Sequence, residues 1–114
     1  MTSSKIEDLK EKHCKACEGG VSRFKPDEAK RYLSQLKGWS LSSDNRMIHQ
    51  EYKFKNFKEV VVFFNQVAQI AEEENHHPFL KIGYNKVEIE LSTHSVGGLS
   101  ENDFILAAKI DAIK

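Results

Sequence analysis

Long apolar runs, prolines and cysteines are all scarce in this chain, and each scarcity removes a class of protein. No apolar stretch approaches the roughly 20 residues needed to cross a bilayer, so a membrane span is excluded. Residues Met1 to Lys10 lack the apolar core of a secretory signal and carry acids that a transit peptide avoids, which predicts a cytoplasmic protein. Neither sign of charge dominates: there are 17 basic and 17 acidic residues, with a sequence pI near 7.0. No Lys/Arg cluster interleaves with aromatics, so direct nucleic-acid binding is not expected and a small, weakly charged ligand fits better. The two cysteines, Cys14 and Cys17, form Cys-x-x-Cys directly after His13. A structural zinc site needs four ligands, and there is no second cysteine pair to complete one. A redox dithiol would want a strand before it and a helix after it, and the segment offers neither. Gly-x-Ser-x-Gly and His-x-x-x-His are also absent, which argues against a serine nucleophile on a strand-helix turn and a helical zinc pair.

What is present is one domain's worth of chain, 114 residues, with no repeat motif or low-complexity run. Residues 1–24 are polar, and Glu18-Gly19-Gly20 interrupts any helical pattern, so this part reads as an N-terminal arm laid over the domain. Pro26 suits a first helical turn, and Ala29, Tyr32, Leu33 and Leu36 follow at helical spacing up to Gly38. Trp39 to Ser42 and Met47 to Phe54 read as a hairpin turning at Ser43-Asp44-Asn45-Arg46. Asn56 with Glu59 starts the longest helix, in which Val60, Val61, Phe64, Val67, Ala68 and Ala71 form the core stripe. Val62, Phe63 and Ile70 fall outside that stripe, which predicts self-association through this helix.

Phe79 to Tyr84 and Lys86 to Thr93 read as a second hairpin turning at Asn85. Ser100-x-x-Asp103 is a capping signal that opens a last helix bearing Phe104, Ala107, Ala108 and Ile110. The expected architecture is α+β: a four-stranded antiparallel sheet with three helices on one face, in the order α-β-β-α-β-β-α.

The stretch Glu72-Glu73-Glu74-Asn75-His76-His77-Pro78 sits where the long helix must stop, because Pro78 denies His77 an α conformation. Counting 100° per residue from Ala68 turns Glu72 and Asn75 inward and leaves Glu73 and Glu74 as surface charges. Antiparallel pairing returns His94, at the far end of the second hairpin, to the same level as His76 and His77. Strict alternation would put His94 on the polar face, so convergence requires a bend near Thr93. Three imidazoles brought together could be hydrogen-bonded structural groups, a zinc site or a proton-transfer cluster; titration near neutrality suits the last.

Taken as an ordered set, Ala71-Glu72, Asn75-His76-His77-Pro78, Tyr84-Asn85-Lys86-Val87, Leu91-Ser92-Thr93-His94 and Gly98-Leu99-Ser100-Glu101 with Asp103 resemble the pterin-4a-carbinolamine dehydratases. Gly38-Trp39, the Phe54-Lys55-Asn56-Phe57 entry to the long helix and the Cys-x-x-Cys-Glu-Gly-Gly arm match as well, so the resemblance covers nearly the whole chain. Asn75 stands where an Asp is common in that family, and Asn102 where an Arg is common. These differences bear on the tuning of His76 and on one rim contact.

The resemblance implies dehydration of 4a-hydroxytetrahydropterin to quinonoid dihydropterin in tetrahydrobiopterin recycling, with no redox change and therefore no cofactor; no metal is expected. It implies His76 and His77 as the acid-base pair and His94 as the group that binds and polarises the pterin. Glu72, Asn75, Trp39 and Asp103 are implied as binding or orienting residues. A homodimer or homotetramer is implied too, and some members of the family partner a homeodomain transcription factor.

Overall fold

The computed structural model describes residues 6–15 and 21–114, with the side chains of its first helix described from Leu9 onward; Cys17 lies outside the described residues. The elements are α1 (Ile6–Glu11), α2 (Pro26–Leu33), β1 (Ser40–Leu41), β2 (Ile48–Lys53), α3 (Phe57–Glu74), β3 (Phe79–Ile82), β4 (Lys86–Leu91), a 3-10 turn (His94–Val96) and α4 (Glu101–Ile113). The strands form one antiparallel sheet in the order β1-β2-β4-β3. The expected α+β sheet is therefore present, with an additional short helix, α1, packed along α4. An element of six residues is too short to be stable alone. Leu9, fully buried, shows where it gains its support.

Register explains which face is covered. Ile48 pairs with Leu91 and Tyr52 with Val87, and these four side chains are buried on the helix side. The intervening pairs, His49 with Glu90 and Glu51 with Glu88, lie on the opposite face. A two-residue period thus separates core from solvent along both central strands.

Each long helix starts where its capping residues place it. Asn56 Oδ1 accepts from the Glu59 amide at 3.0 Å and opens α3. Ser100 and Asp103 form a capping box that opens α4. From Asn102 to Ala108 every residue of α4 is buried, with Phe104 stacked on Phe24 and tilted against Tyr32. This helix is thus enclosed on all sides, and not only along the expected face of Phe104, Ala107, Ala108 and Ile110.

The phase of α3 corrects the sequence reading. Its buried residues are Val60, Phe63, Val67 and Ala71, while Val61 and Val62 are exposed and Ile70 packs against the core. Phe63 and Ile70 are therefore core residues and cannot be the surplus apolar surface. On a wheel with Phe63 at zero, Glu74 falls at about 20° and Glu72 at about 180°. The long helix is apolar through so much of its circumference that its sequence admits several stripes; the sheet and α4 choose one.

Candidate active site

The end of α3 is set by backbone geometry. Asn75 adopts a left-handed conformation, φ 52° and ψ 42°, and its amide bonds back into the last helical turn. Asparagine tolerates this region better than most residues. The His76 amide reaches Ala71 O at 3.1 Å, after which residues 76–78, outside any helix or strand, lead into β3, with Pro78 favouring an extended His77. Consecutive side chains of an extended chain point to opposite sides. His76 is accordingly buried, 5 % exposed, and His77 faces solvent.

Each imidazole has a carboxylate. His76 Nε2 lies 2.7 Å from Asp103 Oδ1, and Asp103 is completely buried. The other oxygen of Asp103 accepts from Thr93 Oγ1 at 2.9 Å and from the Ser100 amide at 3.0 Å. Thr93 Oγ1 in turn meets Ser100 Oγ at 2.7 Å. The N-cap of α4, the end of the second hairpin and the histidine junction therefore share one carboxylate. A buried carboxylate with three of its roughly four acceptor sites engaged holds its imidazole in a fixed orientation. His77 Nε2 lies 2.5 Å from Glu72 Oε2 in an exposed pair. In both rings Nδ1 is the nitrogen left for other partners.

Glu72 and Asn75 do not face inward as the helical wheel predicted; both are exposed, and Glu72 reaches His77 from the outside of the helix. Glu74, expected as a surface charge, is the inward carboxylate. It accepts from the Cys14 amide at 2.7 Å, meets His13 Nδ1 at 2.8 Å and has Lys109 Nζ at 3.6 Å. Burial works against its charge, but the Cys14 amide, His13 and Lys109 outweigh that and hold its carboxyl below the ordinary range. Asn102 completes the same dock, accepting from Lys15 N at 3.0 Å and donating to Lys15 O at 2.9 Å. Being 1 % exposed, it clasps the arm and makes no rim contact. Burial and Glu74 push the Cys14 thiol up to about 12, which suppresses thiolate chemistry.

His94 opens the 3-10 turn, immediately after Thr93 pairs with Gly98 in an isolated bridge. That is the bend expected near Thr93. It links His94 to His76 only through Thr93 and Asp103, because the His94 side chain itself is exposed and lines a cleft of about 220 Å³ with Arg46, Met47, Ser92, Thr93, Gly97 and Gly98. Trp39 stands elsewhere: its indole donates to Asp111 at 3.1 Å, and Tyr52 Oη donates to the same carboxylate. Asp111 lies eight residues along α4 from Asp103, about 12 Å of helix away. Among the described residues no group of three metal-ligating side chains converges.

Sequence reasoning missed Glu74 and Asn102 as anchors of the arm and Arg46 as a neighbour of His94. Glu74 could have been found by allowing an α3 stripe that contains Phe63 and Ile70; Asn102 and Arg46 carry no local signal.

The family model for pterin 4 alpha carbinolamine dehydratase matches residues 22–113. A protein of Halorhodospira halophila is 46% identical over 105 residues, covering 92% of this chain and 96% of its own. One of Nitrosomonas eutropha is 48% identical over 107 residues, covering 93% of each. Both carry the name pterin-4-alpha-carbinolamine dehydratase as a provisional designation. Among solved structures, a transcriptional coactivator/pterin dehydratase from Brucella melitensis aligns with TM-score 0.78 and 36% identity, covering 81% of this chain and 98% of that one. A pterin dehydratase-like protein described as a RuBisCO assembly factor of the alpha-carboxysome aligns with TM-score 0.58 and 25% identity, covering 67% and 88%.

Proposed function

This chain belongs to the pterin 4 alpha carbinolamine dehydratase family, and on that premise we propose that it dehydrates 4a-hydroxytetrahydropterin to quinonoid dihydropterin by histidine acid-base catalysis, serving tetrahydrobiopterin recycling in the cytoplasm. The observation that carries this reading is the pair of adjacent imidazoles on separate carboxylates, His76 on buried Asp103 and His77 on exposed Glu72.

The reaction breaks the C4a–O bond and removes a proton from a ring nitrogen as the C=N bond forms; oxygen leaves as water and no electron changes hands. Hydroxide leaves poorly, so one imidazolium must protonate the oxygen while a neutral imidazole or water takes the ring proton. Adjacent imidazoles in unlike surroundings are the groups assigned to these two needs, the exposed ring of His77 being the one an incoming molecule can reach. Such assistance contributes about 10²–10⁴-fold, or roughly 3–5 kcal/mol. In this reading His94 polarises the pterin from its cleft, while Asp103 and Glu72 position the two rings. Asn75 acts through the chain reversal before His76, and Trp39 supports the core.

One assay tests the chemistry. Protein treated with a strong chelator should still accelerate breakdown of the 4a-hydroxytetrahydropterin that a hydroxylase generates. His76→Ala and His77→Ala should each lose most of the acceleration, and His94→Ala should raise KM more than it lowers kcat. Activity abolished by chelation and restored by zinc would replace the acid-base reading with a metal site.

A protein-binding role is supported by a separate observation. Phe57 and Val62 on α3 are 54% and 55% exposed, and Val61 is 39% exposed beside them. An apolar strip of this kind favours burial between subunits. We infer a homodimer or homotetramer through this face, and the same face would serve a transcription-factor partner. Light scattering that finds a monomer at micromolar concentration would exclude the self-association.

A further inference from the structure

The cleft beside His94 holds a cation that the dehydration chemistry does not use. Ile48 pairs with Leu91, so the turn before β2 runs alongside the segment after β4 and carries Arg46 to Ser92, Thr93 and His94. The turn is held in place. Its Asp44 carboxylate accepts from Ser42 Oγ at 2.7 Å and from the Arg46 amide at 3.1 Å, and Ser42 Oγ accepts from the Met47 amide at 3.1 Å. Asp44 is thus engaged with the turn's own backbone and hydroxyl. Among the described residues the Arg46 guanidinium makes no hydrogen bond or ion pair.

Across the cleft the chain offers a wall without side chains. Gly97 adopts φ 68°, a region that favours glycine, and Gly98 is buried. A Cβ on Gly98 would lie 2.9 Å from Arg23 Cδ, so the stem of a second arginine packs against the back of the same dipeptide. Like Arg46, Arg23 has no ion-pair partner among the described residues. Met47 adds an apolar surface within the cleft, and its volume of about 220 Å³ suits a substituent more than a whole bicyclic ring with its side chain.

A guanidinium that feels the Asp44 carboxylate of its own turn only at a distance, without an ion pair, together with a side-chain-free wall, makes the components of an oxyanion subsite. We propose that Arg46, backed by the Gly97–Gly98 wall and next to His94, binds an oxyanion on the side chain of the pterin, so that the preferred substrate class is a pterin with a phosphorylated or carboxylated side chain. This rests on the pterin reading given above. With the ring's reacting edge at His76 and His77, the substituent extends toward the end of β4, where the Thr93-Asp103 linkage places His94 one residue from the acid-base network.

Equilibrium fluorescence binding tests it with three probes: neutral hydroxymethylpterin, its phosphate ester, and pterin carboxylate. At low salt the wild-type protein should bind the phosphate ester about tenfold more tightly than the neutral pterin, the lower end for a contact to a charged group. The ratio should shrink as salt is added, because an exposed arginine is screened. Arg46→Gln should bring the ratio to about one and Arg46→Lys should keep part of it, both with unchanged melting temperatures because the residue is exposed. Comparing the two anionic probes reports which side-chain length reaches the cation. Inorganic phosphate should compete with the phosphate ester and not with the neutral pterin.

Equal affinity for neutral and anionic pterins in the wild type would overturn the subsite while leaving the pterin reading in place. A preference that survives Arg46→Gln would overturn it as well. Failure of all three pterins to bind would remove the functional reading and the subsite together.

Discussion

Glu72 and Glu74 stand two residues apart on the last turn of α3 and do opposite things. The Glu74 side chain is 6% exposed and fixed by a backbone amide, an imidazole and an ammonium; the Glu72 side chain is 77% exposed and touches one imidazole. The arm side of the junction consists of groups whose partners are all supplied by the fold. The histidine side keeps one ring in the same condition, His76 on Asp103, and leaves the other, His77, open to solvent. Rigidity and access are thus divided between neighbouring residues, as proton transfer to an incoming molecule requires: one ring held, one ring reachable.

The largest expected effect comes from loosening the held ring. Asp103→Asn removes the negative partner of His76 while keeping an oxygen for Thr93 and the Ser100 amide. Dehydration should fall by roughly 10²-fold, because the ring loses the buried partner that fixes its orientation. A rate within threefold of wild type in a folded variant would show that the buried pair is only structural. A smaller effect is expected on the arm side, and it should appear in stability instead of rate. Glu74→Gln weakens charge-assisted bonds to Cys14 N, His13 and Lys109, at a cost of about 1–2 kcal/mol and roughly 5 °C in Tm, with the dehydration rate retained.

The pH dependence of that loss has a definite sign. A carboxyl whose folded pKa is depressed contributes stability above its unfolded value, near 4.3, and loses it as pH falls through the folded value. The Tm difference between wild type and Glu74→Gln should therefore be full at pH 7 and shrink below about pH 4. Glu72→Gln, by contrast, should leave Tm within about a degree at both values, as expected of an exposed pair. Equal losses from both substitutions would erase the contrast between the two sides.

The contrast also marks what could be read from the sequence. Pro78 restricts His77 through its own ring, and Ser100-x-x-Asp103 caps its own helix, so both signals are local and both features are where they were expected. The chain does turn after Thr93, but the His94 side chain stays exposed on the side that plain alternation gives it, so the expected meeting of three imidazoles is not formed by the rings themselves. The rotation of α3 was not legible. Val60 to Val67 present apolar groups on most sides, and the choice among stripes belongs to the sheet and α4, which lie far off in the chain. Glu74 and Asn102 were hidden for the same reason, since their partners are backbone atoms of an arm some 60 and 87 positions away. Trp39 was read from resemblance alone, and the structure gives it Asp111 as a partner instead.

The left-handed stop at Asn75 makes the site a matter of parity. Beyond it residues 76–78 lie outside any helix or strand, Pro78 favours an extended His77, and odd and even positions look to opposite sides. Inserting one residue between Asn75 and His76 would exchange the two imidazoles, sending His76 to solvent and turning His77 toward Asp103, with composition almost unchanged. Inserting two would keep their sides and only move them outward. Length changes at this junction should therefore act according to whether they are even or odd.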